Sequence, residues 1–311
     1  MIILEEGGSM KKEWLVKTLA IGIVVLFVGA GVVSAYDINL INEYKPLIIG
    51  NTLYVGGSGP GNYSTIQGAI NDANPGDTVF VYDDSSPYHE NILIDKSINL
   101  IGEEKNTTII DGGYELSVIE ITADKITISG FNIRRADFGI DGSTNYSTIY
   151  NTIIDCWQGG IFLLTSSKNV ISDNQIINTH EVCIALFYDS KNNKIMGNSL
   201  KAGSEVAIYL VGRCNKNRIE KNSIENNIWY GIWVDWSFFN IIQKNNFLNN
   251  EVHSYFENAS FNFWIDNYWD DWSSKKPRPI NGIRYGYFSK NQRNWTTYDW
   301  RPAQEPYNIH S

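Results

Sequence analysis

Little in this 311-residue chain suits a soft-metal centre. It has three cysteines, three methionines and four histidines, and soft or borderline metals need such ligands gathered together. His89, His180, His253 and His310 share no common spacing, and Met196 is the single methionine beyond the first ten residues. The odd cysteine count excludes a fully paired disulfide framework. Cys156, Cys183 and Cys214 read instead as small buried hydrophobes. Basic residues are also short, 25 against 34 acidic ones, for a net charge of −9. Overall charge therefore gives no hold on nucleic acid or on an anionic polymer. Only one long apolar run exists, the 15 residues from Leu19 to Val33.

Lys11, Lys12 and Lys17 precede that run, and Val33-Ser34-Ala35 ends it with small residues. This is the layout of an export signal, with cleavage expected after Ala35. The alternative is an uncleaved membrane anchor over residues 18–35, at the short limit for a span. Translation from Met10 is expected, since "LEEGG" before it reads like a translated ribosome-binding stretch. Residues 1–35 are thus a signal peptide or anchor and 36–50 a linker. The remainder is exported, to the cell surface or beyond, and meets membrane only through that first segment.

What the chain has in abundance is asparagine, 35 against eight prolines. The pattern Asn-x-apolar-x-x-Asn-x-apolar recurs as "NVISDNQI", "NKIMGNSL", "NRIEKNSI", "NIIQKNNF" and "NFWIDNYW". With Asn151 ahead of them, the second asparagines are Asn151, Asn174, Asn198, Asn222, Asn245 and Asn267, at steps of 23, 24, 24, 23 and 22. Between them lie "GIFLL", "CIALF", "AIYLV" and "GIWVD", with the alternation of short strands buried on one side.

A repeat of about 23 residues is too short for a βαβ unit. It fits one turn of a right-handed parallel β-helix, in which equivalent positions stack about 4.8 Å apart. Asparagine amides both donate and accept, so they can bond up and down such a stack. They also tolerate the left-handed conformation of a tight corner. These six asparagines are read as scaffold.

Both ends of an open coil need caps. Ser64-Thr65-Ile66-Gln67 reads as a capping box, and Ile66, Ala69, Ile70 and Ala73 share a helical face. The expected fold is all-β, a single-stranded right-handed parallel β-helix over 51–265 with an N-terminal capping helix. An irregular aromatic-rich cap is expected over 266–311.

These segments resemble the NosD-like parallel β-helix proteins of the pectate-lyase-like superfamily, exported archaeal members in particular. "LYVGGSGPGNYSTIQGAINDANPGDTVFV", "SINLIGE", "TTIIDG", "KITISGFNI", "DNYWDDW" and "YDWRPAQEPY" carry the likeness, across residues 51–308. The resemblance implies the fold. It also implies a choice of roles, because NosD is named as an accessory factor in copper-enzyme maturation and related β-helices bind or cut polysaccharides.

The residues themselves offer no copper ligand set and no hydrolase, lyase or esterase signature. Asp266, Asp270 and Asp271 form the densest acid cluster. They would hold calcium if the chain holds any cation; no other cofactor is expected. In the strand motifs the buried positions frame one outward column, Phe162, Ala185, Tyr209, Trp233 and Tyr255. The small residues Gly160, Cys183, Ala207 and Gly231, with His253, are expected to floor a groove beside it. Aromatic faces stack on sugar rings, so Phe162, Tyr209, Trp233 and Tyr255 are the candidate carbohydrate site. The expected partner is a polysaccharide or surface glycan and not a nucleic acid. The leading expectation is a non-catalytic carbohydrate-binding or structural protein. A polysaccharide lyase or glycoside hydrolase and a maturation accessory are the alternatives.

Overall fold

A computed structural model describes residues 50–201, 204–286 and 289–309. The signal or anchor segment, most of the 36–50 linker and His310 lie outside the described residues. Among those described, no helix is long and apolar enough to cross a membrane.

The chain coils as a parallel β-helix with three strands per turn, which form one 20-stranded and one 9-stranded sheet. Face 1 carries the longest strands of the coils, among them Phe138–Gly142, Gly159–Leu164, Val182–Phe187, Val206–Val211, Tyr230–Asp235 and Val252–Glu257. Face 2 carries three-residue strands such as Arg218–Glu220, and face 3 others such as Ser223–Glu225. Each strand pairs in parallel with its equivalent one coil on. Apolar residues therefore stack in files. Ile140, Ile161, Ile184, Ile208 and Ile232 make one file, and Ile149, Ile171, Ile195, Ile219 and Ile242 another. All are at most 1 % exposed. Toward the C-terminus the files change to Phe247, Phe256, Trp264 and Trp269, with Trp269 stacked on Phe247 at 4.1 Å. Large flat rings close a core that has no further coil above it.

Buried asparagines lace the corners between strands. Asn222 Oδ1 accepts from Asn198 N and Nδ2 at 3.0 and 2.9 Å. Asn222 Nδ2 donates to Ile195 O and to Asn245 Oδ1 at 2.9 and 3.0 Å. Asn174, Asn198, Asn245 and Asn267 repeat the pattern, and Asp299 Oδ2 terminates it by accepting from Asn267 N and Nδ2. Three corrections follow. The first member is Thr152, whose amide and hydroxyl bond Asn174 Oδ1. Asn151 stands one residue outside the ladder. The ladder asparagines are not the left-handed residues; the residue before each is, namely Asp173, Gly197, Lys221, Lys244 and Asp266. Turning and bonding are thus divided between neighbours. The first asparagines of the motif build a second ladder, Asn169, Asn193, Asn217, Asn240 and Asn262, and Asn227 with Asn250 a short third one.

Helix α1 (Ile66–Asp72) covers the first coil with Ile66, Ala69 and Ile70. Its N-cap is Thr65 and not Ser64, and Glu90 holds the Ile66 and Gln67 amides in place of a Gln67 return bond. The C-terminal cap is more regular than expected. Arg278–Gly286 and Ser289–Asp299 form an antiparallel hairpin that also pairs with the last coils at Phe256, Glu257 and Trp264. Pairing satisfies the open strand edges that an irregular cap would leave.

Candidate functional site

On face 1 the register places Phe162, Ala185, Tyr209, Trp233 and Tyr255 in one file, as the strand alternation requires. The file is denser than the sequence reading had it. Phe138, Phe187 and Tyr230 join from neighbouring files. Phe162 stacks on Phe187 at 4.4 Å, Tyr209 on Trp233 at 4.7 Å and Tyr230 on Tyr255 at 5.0 Å. These rings use much of their faces on one another and present ring edges and the tyrosine hydroxyls outward, while Trp233 Nε1 is buried. Alternation alone would have sent Tyr230 inward, two places before the buried Ile232; the bend at Gly231, buried like Ile232, turns it outward.

The expected floor is corrected. A Cβ on Gly160 would meet Ile176 Cγ2 at 2.7 Å, and one on Gly231 would meet Ile224 Cγ2 and Phe247 Cδ1. Cys183 and Ala207 are fully buried. That file points into the coil, where its small size lets the chain bend around the core. The floor beside the ridge is Val182, Ala185 and Val206, buried beneath the aromatic rings.

At one end of the ridge the register pairs Asp235 with Glu257, on strands about 4.8 Å apart. Burial, then the Glu257 charge, raises the Asp235 carboxyl to about 6. Its Oδ1 is buried without a hydrogen-bond partner, as is Trp233 Nε1. Burial and these two acids push the Tyr209 hydroxyl up to about 12. The pair was legible as the last letters of "GIWVD" and "HSYFE".

The acid trio divides. Asp266 is bound through both oxygens to Arg301 at 2.8 Å. Asp271 is bound likewise to Arg278 at 3.1 and 2.9 Å. Asp270 and Asp271 approach His253, whose Nε2 lies 2.8 Å from Asp270 Oδ1 and 3.6 Å from Asp271 Oδ1. Among the described residues this is the one group of three candidate metal ligands.

A family model described as periplasmic copper-binding protein (NosD) matches residues 70–293. The chain belongs to the NosD family. The family's periplasmic description implies an exported β-helix protein. Among solved structures, pectin methylesterase from carrot aligns over 69% of this chain and 83% of its own, at 12% identity and TM-score 0.49. A pectin methylesterase in complex with a hexasaccharide aligns over 83% and 91%, at 13% and 0.44. Pectate lyase Pel9A aligns over 71% and 80%, at 13% and 0.36. Identities this low concern fold alone. No curated protein sequence matches the chain.

Copper is the metal this NosD chain's family description names, and the residues present do not fit it. The three thiols are buried, and burial raises them to about 12 for Cys156 and about 11 for Cys183 and Cys214. They bond different partners, Ile133 O, Ser204 and Leu186 O. Among the described residues His253 is the one imidazole grouped with other possible ligands, and the third ladder sets its tautomer. Asn250 Oδ1 accepts from Asn227 N and Nδ2, so the Asn250 amide nitrogen must face His253 Nδ1, at 3.2 Å. Nδ1 is then an acceptor, and the ring proton sits on Nε2, donated to Asp270. A ligating histidine instead donates from its other nitrogen. Burial holds His253 below the usual histidine range, so it is neutral and pins the turn at Asp270.

Proposed function

We propose that this exported β-helix binds a neutral cell-surface glycan along face 1. The observation that supports this reading is the in-register file Phe162, Tyr209, Trp233 and Tyr255, partly exposed on a rigid sheet. Its ring edges and the tyrosine hydroxyls offer apolar contact with polar tips beside it, as sugar recognition requires. Laddered coils fix the spacing of these groups before any ligand arrives, which limits the ordering cost of binding.

A second reading, glycoside hydrolysis, is favoured by Asp235 and Glu257. Their strand spacing is near the roughly 5–5.5 Å of retaining glycosidases. The raised Asp235 would protonate a leaving oxygen while Glu257 serves as nucleophile. The test is a glycan panel with and without calcium, scoring binding and cleavage separately. Trp233→Ala is expected to weaken binding about tenfold, a loss of roughly 1.4 kcal/mol, and to lower the melt, because the indole packs on Tyr209 and over the valine floor; binding is therefore measured well below the melt. Cleavage that Asp235→Asn abolishes would establish the second reading. A parent chain that binds no neutral glycan would overturn the first.

A further inference from the structure

The corner between faces 1 and 2 carries a file that neither reading uses. Lys125, Tyr146, Lys168, Asn192, Lys216, Phe239 and Phe261 occupy it, one per coil. All are left-handed, with φ of 58, 58, 62, 57, 59, 59 and 58°. Amides along it bond carbonyls one coil on, Lys125 N to Asn145 O, Tyr146 N to Ser167 O and Lys168 N to Lys191 O. This conformation suits glycine and asparagine and costs any larger side chain. Only Asn192 suits it. The other six are long cations or aromatics, and all seven project into solvent. Tyr146, Phe239 and Phe261 are 55%, 50% and 67% exposed.

The file contains no acid, although the chain is acidic overall. Lys125 and Lys216 have no ion pair among the described residues. Lys168 Nζ contacts the Tyr146 hydroxyl at 2.6 Å and lies over its ring. Beside the file, Asp124 accepts from Asn145, and Asp189 is held between Lys191 and Arg213. The three lysines fall on every second coil, so their positions repeat at roughly 9.6 Å, twice the strand spacing. The row is straight, one residue wide and about 29 Å long. The second asparagine ladder lies immediately behind it and keeps it rigid.

We propose that this edge binds a linear anionic polysaccharide lying along the coil axis. Acidic groups on alternate sugars meet Lys125, Lys168 and Lys216, and sugar rings meet the exposed parts of Tyr146 and of the Phe239–Phe261 pair, whose rings stack on one another at 5.5 Å. A narrow row with a cation on every second coil matches a polymer of two-sugar repeat better than a broad lipid surface. This does not rest on the face 1 reading, which concerns other residues and a neutral ligand.

The test is calorimetric titration of the full chain with hyaluronan oligosaccharides, which carry an acid on alternate sugars. Carboxyl-reduced hyaluronan, vesicles of phosphatidylglycerol and phosphatidylcholine, and a single-stranded oligonucleotide serve as comparisons. Hyaluronan is expected to bind, more weakly as salt rises. The combined variant Lys125→Gln, Lys168→Gln, Lys216→Gln should lose tenfold or more, while Lys221→Gln with Lys244→Gln on the neighbouring corner keeps parental affinity. Phe239→Asn with Phe261→Asn should also weaken binding yet melt no lower than the parent, because asparagine suits the left-handed corner. No hyaluronan binding, equal losses in both lysine variants, tighter binding to vesicles or oligonucleotide, or a lower-melting asparagine variant with parental affinity would each overturn the proposal.

Discussion

Asn222→Ala tests the ladder at its centre. The side chain is fully buried, and its removal breaks four hydrogen bonds. Asn245 Oδ1 keeps one donor, the Asn222 amide at 3.0 Å. The Asn198 amide and Ile195 O lose the partner that Asn222 supplied, while Asn198 Nδ2 keeps Ile171 O and Met196 O. A buried polar group left without a partner costs about 1–3 kcal/mol. Two such groups give roughly 2–5 kcal/mol after some relief from entering water. For a chain of this size that is a fall in melting temperature on the order of 10 °C. The assay is a thermal melt paired with urea unfolding, and Asn151→Ala is the control. Asn151 lies one residue outside the ladder at a left-handed corner, so its loss should cost only about 1 kcal/mol. A change below about 1 kcal/mol at Asn222, or equal changes at the two sites, would refute both the ladder and its register.

Three further outcomes are expected. Gly160→Ala sets a Cβ 2.5 Å from Cys183 O and 2.7 Å from Ile176 Cγ2; it should destabilise by about 1–3 kcal/mol, visible as an earlier urea midpoint. Asp235 has a folded pKa of about 6 against an ordinary 3.8, so the fold binds its proton more tightly than the unfolded chain does. Stability should fall as pH rises from about 4 to 6 and then level off; Asp235→Asn should remove that dependence and add about 1 kcal/mol at neutral pH, a figure reduced for partial solvent screening. Copper(II) should not ligate His253, so the ¹⁵N NMR shifts of its ring should show an Nε2–H tautomer unchanged by the metal. A copper signal lost in His253→Gln would show the tautomer argument to be mistaken.

The coil was readable because its physics repeats. Asparagine, isoleucine and the small bend residues recur every 22 to 24 positions, and each position has one environment. The aromatic file on face 1 was readable for the same reason, since alternation alone sends Tyr209 and Trp233 outward. Errors arose where adjacent residues divide a task. Asn151 and Thr152 are both plausible ladder members by composition, and only the bond to Asn174 tells them apart. Glycine at 160 fits an open floor or a tight interior equally well in sequence.

The sequence by itself determined the repeat length, the inward files of isoleucine, the structural role of the asparagines and the need for two caps. These follow from periodicity and local side-chain chemistry, which a one-dimensional string contains. The tertiary structure alone decided which side chains meet across coils and from the C-terminal hairpin. Asp299 ends a ladder that begins at Thr152, Asp235 meets Glu257, and Asn250 sets the tautomer of His253. Such contacts depend on register to one residue and on the direction of single atoms, and the repeat pattern specifies neither.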